Sequence, residues 1–385
     1  MRIRKFSLRF AASILALSGA MAPNAAFAEP DAGEYKIGFI SEATGPLAAA
    51  GNSYLHGAQL AIEQINAEES AGKGVELELV EKESGSDAAR SVQALTQFIA
   101  DRDVLAVSCC ILSPVAGAVK PVAIAQKMPL VLYGATRPGL PELPYVTSIV
   151  VLPGPQEVKM TKMLAEKLAP KTVTYFVNAD NDGFQGRFKA AQEVMEEAGI
   201  KTGGVVSILS ADTDFTAPAT QAIATNPDLI MVWTTQTPAA GIIAALRARG
   251  YEGHISASDV ISPAPVFERI GEPLAGIPFP TSFAAEISTS PEAKAFAEAY
   301  EAKFNGSPDT YAAQGYTAMR YIAQGLKSLD GEPTREALAN AMASIAEITP
   351  NVYGGLPMKE GQADVDKALI AAWTKDGKIT TWEGN

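Results

Sequence analysis

Few residues in this 385-residue chain have the types and spacing for covalent chemistry. Cys109 and Cys110 are adjacent, and neighbouring residues bridge only with strain. They read first as two small buried residues at a strand end, and second as a redox pair. His56 and His254 stand far apart with no cysteine or acid at ligand spacing, so neither a metal site nor a cofactor is expected. No GxSxG, HExxH or Walker sequence occurs. Glu81, Glu83 and Asp87 could mimic a catalytic acid pair, but without a histidine or metal set beside them they read as a solvated loop.

What remains is binding chemistry. Ser113 follows the apolar run 104–109 (VLAVSC), and Thr136 follows 129–133 (PLVLY). Gln236 follows 229–234 (LIMVWT), and Asp259 follows 255–257. If these runs are parallel strands, all four residues lie at carboxyl ends, where open α/β sheets take their ligands. Helix N-termini begin there too, and their amides favour an anion. A carboxylate held by Ser113, Thr136 and nearby amides needs no arginine. The blander roles are an N-cap for Ser113, a turn residue for Thr136, and an N-cap or solvated loop acid for Asp259.

The elements that must position these residues alternate. Strand-like runs at 35–40, 75–82, 104–109 and 129–133 are separated by helical patterns at 57–66, 88–100 and 115–126. That order predicts a parallel sheet flanked by helices. The pattern restarts with helices at 157–168, 186–198, 215–225 and 238–249, and strands at 172–177, 205–209, 229–234 and 255–257. Three helices follow, at 291–304, 310–329 and 334–343, without strong strands between them, and are expected to pack back on the first unit. The runs 368–374 and 378–382 flank Asp376-Gly377 and read as a hairpin extending the second unit. Tyr133, Tyr175 and Trp233 read as packing residues.

The fold class predicted is α/β with two lobes, each a parallel sheet flanked by helices. Residues 29–150 and 281–353 would form the first lobe, and 151–280 and 354–385 the second. Crossings are expected at 147–151, 278–282 and 350–356, the last two rich in Pro or Gly. Several hinge strands suit a closing clamp.

Residues 1–28 carry Arg2, Arg4, Lys5 and Arg9, then an apolar run, then Ala26-Phe27-Ala28, the pattern of a secretory signal peptide cleaved near Ala28. The run is shorter than the roughly 20 residues that span a bilayer. The net charge of −12 would become −16 without those four basic residues. Such acidity disfavours nucleic-acid and anionic-membrane partners and suits a soluble monomer.

Residues 36–66, KIGFISEATGPLAAAGNSYLHGAQLAIEQIN, carry a strand, then T-G-P, then G-A-x-L-A-I-x-x-I-N. This resembles the opening of the branched-chain amino-acid type of periplasmic solute-binding proteins. The likeness recurs at Ser113, Pro121-Val122-Ala123, Pro129-Leu130-Val131, Ala135-Thr136, 212–215 and 311–321. It implies a two-lobed type I fold, a periplasmic location, capture without catalysis, and an ABC permease in the inner membrane as partner. It also implies a ligand site at Ser113, Gly134, Ala135, Thr136, Phe184, Gln236 and Asp259. Ser113 and Thr136 match positions that hold the ligand carboxylate, and Gly134 one that meets its amine through the backbone. Asp259 matches an acid that binds the ammonium; a desolvated carboxylate needs such a cation. Ala50 stands where the family often has an aromatic residue, Gln236 where it often has tyrosine, and Phe184 near another such tyrosine. The expected ligand is an amino acid of branched-chain type. Aromatic acids, amides and urea-like solutes are alternatives, as is a sensor role beside a membrane receptor.

Overall fold

The computed structural model describes residues 29–364 and 369–384. The expected signal segment lies outside the described residues. Five strands form a parallel sheet: β1 (Gly33–Ser41), β2 (Val75–Glu83), β3 (Val104–Cys109), β4 (Leu130–Leu132) and β5 (Val146–Ser148), in the order β2-β1-β3-β4-β5. Their period-2 side chains feed two separate cores. Ile37, Phe39 and Val131 face the helix α1 (Ala48–Ala67), whereas Ile40, Leu130 and Leu132 face α2 (Ala88–Ala100) and α3 (Ser113–Ala125). A sheet buried on both faces needs such continuous apolar runs.

A second parallel sheet contains β6 (Thr172–Asn178), β7 (Lys201–Ile208), β8 (Leu229–Trp233) and β9 (His254–Ala257), ordered β7-β6-β8-β9. Its helices are α4 (Pro153–Leu168), α5 (Asp182–Glu197), α6 (Thr216–Ala224), α7 (Gln236–Ala248) and α8 (Ala264–Ile270). Trp233 and Tyr175 are fully buried in this lobe's core.

The chain then passes through β10 (Pro278–Thr281) back to the first lobe, where α9 (Pro291–Phe304), α10 (Thr310–Lys327) and α11 (Arg335–Ala343) pack. The α1–α10 crossing is close because both helices carry glycine there. A side chain on Gly57 would strike the Ala312 carbonyl, and one on Gly315 the Tyr54 carbonyl.

Two expectations need correction. The glycine-rich segment near 354 is a turn and not a passage between lobes. Gly354 and Gly355 take φ of 72° and 105°, and this turn pairs β11 (Glu347–Ile348) antiparallel with β12 (Leu356–Lys359). The strand β13 (Gln362–Ala363) then joins β5, so the chain from Leu356 to Ala363 extends the first sheet. The hairpin of β14 (Leu369–Trp373) and β15 (Ile379–Thr381) does join the second core, but in a separate three-stranded sheet with β10. The second correction concerns the cysteines. Cys109 and Cys110 are fully buried, as the first reading had it, but they are joined as a disulfide. Cys110 has φ of 87°, which turns the backbone sharply off the end of β3.

Candidate functional site

Each parallel sheet has one point where its order reverses, between β1 and β3 in the first lobe and between β6 and β8 in the second. Loops leaving the carboxyl ends there diverge and open a crevice. The two crevices face one another and enclose a single cleft of about 770 Å3, counting solvent at its mouth. The passages between lobes supply its floor with Val150, Val151, Pro280, Thr281 and Ser282.

The first-lobe wall is polar and close-fitting. Ser113 is the first residue of α3, is almost fully buried, and its Oγ accepts the Arg137 amide at 3.1 Å. The helix cap is Leu112, so the serine hydroxyl is not spent on capping. Thr136 stands beside it on the turn after β4. Gly134 lies behind both, and a Cβ there would sit 2.7 Å from the Tyr54 hydroxyl. Ala50 lines the cleft, but one helical turn on, Tyr54 restores an aromatic ring. That ring lies 5.1 Å from the ring of Tyr311, and its hydroxyl donates to Gln314 at 2.7 Å.

The second-lobe wall carries charge. Asp259, in the turn after β9, accepts from the Arg187 Nη1 at 2.6 Å through Oδ1. Its Oδ2 accepts from the Tyr311 hydroxyl at 3.3 Å, a contact between lobes. Arg187 lies on α5 with its guanidinium 4.9 Å from the centre of the Phe184 ring. Glu157, on α4, is wholly buried, and its Oε1 is 3.5 Å from the same Nη1. Neither Glu157 oxygen has a hydrogen-bond partner, and neither has the Arg187 Nε nor the Thr235 hydroxyl. Burial pushes the Glu157 carboxyl up to about 8; Arg187 opposes that shift and Asp259 adds to it. Gln236 opens α7, and its Nε2 donates to the Val260 carbonyl at 3.2 Å.

Across the cleft mouth, Arg137 of the first lobe pairs with Asp182 of the second at 3.1 Å. Gly183 is set so close to the opposite wall that a Cβ on it would stand 2.6 Å from the Thr136 Oγ1 and 3.2 Å from the Ser113 Oγ. The lobes are therefore in a closed arrangement.

Six of the seven residues singled out in sequence (Ser113, Gly134, Thr136, Phe184, Gln236 and Asp259) line this one cleft. The seventh, Ala135, packs its methyl group into the core beneath β3 and β4. Glu81 and Glu83 lie in β2 and not in the loop expected of them, and with Asp87 they serve local structure. Glu83 accepts from the Ser41 hydroxyl at 2.8 Å and from the Ala43 amide at 2.8 Å, and Asp87 caps α2 through the Arg90 amide. Neither lines the cleft.

Sequence reasoning missed Arg187, Glu157 and Tyr311. A helical-register signal existed for two of them. Arg187 lies three residues after Phe184, on the same face of α5. Glu157 is in step with the buried Met160, Thr161 and Leu164 of α4, an acid in a core-facing stripe. Such a residue seldom sits fully buried without a partner.

The sequence profile of the periplasmic binding protein family matches residues 34–378. A Leu/Ile/Val-binding protein of Rhizobium johnstonii is 26% identical over 372 residues, 95% of this chain and 99% of its own. Two solved structures share the fold at a TM-score of 0.81 and 25% identity. One is a leucine-binding protein from Thermotoga maritima, with 90% of this chain and 97% of that one covered. The other is a branched-chain amino acid transporter substrate-binding protein from Streptococcus pneumoniae in complex with isoleucine, with 91% and 98% covered.

Proposed function

We propose that this chain, which belongs to the periplasmic binding protein family, captures a small amino acid of branched-chain type between its lobes and delivers it to an ABC permease. The observation that carries this reading is the pairing of two unlike walls on one closed cleft. Ser113 and Thr136 form an uncharged anion cradle at the N-terminus of α3, suited to a carboxylate. The opposite wall carries the acids Asp259 and Glu157, suited to an ammonium. Names of the relatives support the ligand class. The ligand is held reversibly, and closure is stabilised only by contacts absent from the open form. The protein acts as a monomer in the periplasm after cleavage near Ala28. N-terminal sequencing of the exported form checks that boundary.

One observation favours a second reading. Both Asp259 oxygens are already engaged, by Arg187 and Tyr311, as they would be if the ligand were a carboxylate without an amine. Thermal-shift measurements against leucine, isoleucine and valine, and against their amine-free analogues such as 4-methylpentanoate, separate the two. A ligand at 100 times its Kd adds about 2.7 kcal/mol of stability. A rise in Tm with the amino acids alone supports the first reading. A rise with the amine-free acids alone replaces it with the second.

A further inference from the structure

We propose that Glu157 is the acceptor for the ligand's ammonium group, and that Arg187 holds Asp259 in place as a positioning partner. This rests on the amino-acid reading above and reassigns the ammonium role within it. The two acids on this wall differ in how their oxygens are engaged. Asp259 has an arginine on one oxygen and a tyrosine hydroxyl on the other. Glu157 faces the same cleft, is 0% exposed, and has two oxygens with no hydrogen-bond partner, the Arg187 Nη1 standing 3.5 Å from Oε1 without bonding to it. A buried acceptor left in that state costs about 1–3 kcal/mol. An alkyl side chain cannot relieve that cost, whereas an ammonium with three donors can.

The charge balance agrees. The titratable and charged groups around Glu157 are Arg187, Asp259 and, beyond Asp259, Tyr311. Arg187 and Asp259 cancel. With no ligand, burial keeps the proton on Glu157, since its carboxyl is pushed up to about 8, and the wall is neutral. An arriving ammonium makes the ionised carboxylate favourable, so the proton leaves to solvent as the cation binds. Two cations then face two anions.

The test compares wild-type protein with Glu157→Gln by calorimetric titration of leucine. Glutamine keeps the shape and removes the charge. The proposal expects leucine affinity to fall about tenfold to a hundredfold, with the Tm of the ligand-free protein unchanged or raised. It also expects wild type to release close to one proton per leucine at pH 7, read from the dependence of binding heat on buffer ionisation enthalpy. The variant releases none. Equal leucine affinity in both proteins overturns the proposal and leaves the amino-acid reading standing. If wild type binds 4-methylpentanoate but no amino acid, both readings fall. Should Glu157→Gln not fold, Glu157→Met is titrated in its place, and leucine affinity equal to wild type overturns the assignment.

Discussion

Replacing Gly183 with alanine separates closure from folding. In the closed lobes, a Cβ at this position would stand 2.6 Å from the Thr136 Oγ1 and 3.2 Å from the Ser113 Oγ. The first distance is inside any ordinary carbon–oxygen contact, so closure must stop short or the hydroxyl must move. Either outcome disturbs the cradle proposed for the carboxylate. Comparable overpacking costs about 1–3 kcal/mol, which corresponds to a Kd roughly 5- to 150-fold weaker. The Thr136 and Ser113 contacts exist only across the cleft, whereas the milder 3.1 Å approach to the Asn181 Oδ1 lies within one lobe and is present in the open form too. Within its own lobe the substitution lies in the first turn of α5, where alanine gains up to about 1 kcal/mol over glycine. Ligand-free Gly183→Ala should therefore melt near the wild-type temperature, the helix gain offsetting the crowding of the Asn181 cap, while binding leucine much more weakly. Calorimetric titration and a thermal melt on the same preparation measure both. A Kd within twofold of wild type, with an unchanged melt, would refute the reasoning, because the bound form could not then be this closed arrangement.

Other perturbations follow from the same geometry. Arg187→Met leaves Asp259 and Glu157 together without their cation, and removing one partner of a buried pair costs about 3–5 kcal/mol. Urea unfolding should show that loss at pH 8 and a smaller one at pH 5, where Glu157 holds a proton. Ligand-free stability should also fall as pH rises from 5 to 8. Burial pushes Glu42 up to about 7 and Glu157 up to about 8, so the folded state binds more protons than the unfolded chain across this window. For Glu42 alone the change is on the order of 3 kcal/mol at 1.36 kcal/mol per unit, and Glu42→Gln should flatten the profile in pH-dependent urea melts. By contrast, Arg137→Ala removes only the half-exposed pair with Asp182 at the cleft mouth. Such pairs are worth about 0.2–1 kcal/mol, so leucine affinity should drop no more than about fivefold.

How far the sequence determined these features differs by element. Strand and helix order were legible because each carries its own periodicity. The run at 104–109 is β3, and the pattern at 88–100 is α2, residue for residue. The return of α9–α11 to the first lobe followed from the lack of strands between them. The chain from Leu356 to Ala363 was misread because glycines that free a hinge also permit a positive-φ turn, and local composition does not distinguish the two. The cleft residues at strand ends were legible through the topology of parallel sheets, which sends their carboxyl ends to one side. The Arg187–Asp259 pair was not legible. Its partners are 72 residues apart, and only the packing of α5 beside the turn after β9 brings them within hydrogen-bonding distance. Glu157 was hidden in the same way, because its significance depends on which neighbours do not reach its oxygens.

The most direct test of the central claim is a calorimetric titration of leucine into wild-type protein and into the Ser113→Ala/Thr136→Ala double variant. The account predicts one site per chain, with a Kd below about 1 mM in wild type and at least tenfold weaker binding in the variant, which should still fold but melt somewhat lower because the Arg137 amide loses its Ser113 acceptor. Equal binding by both proteins would contradict it.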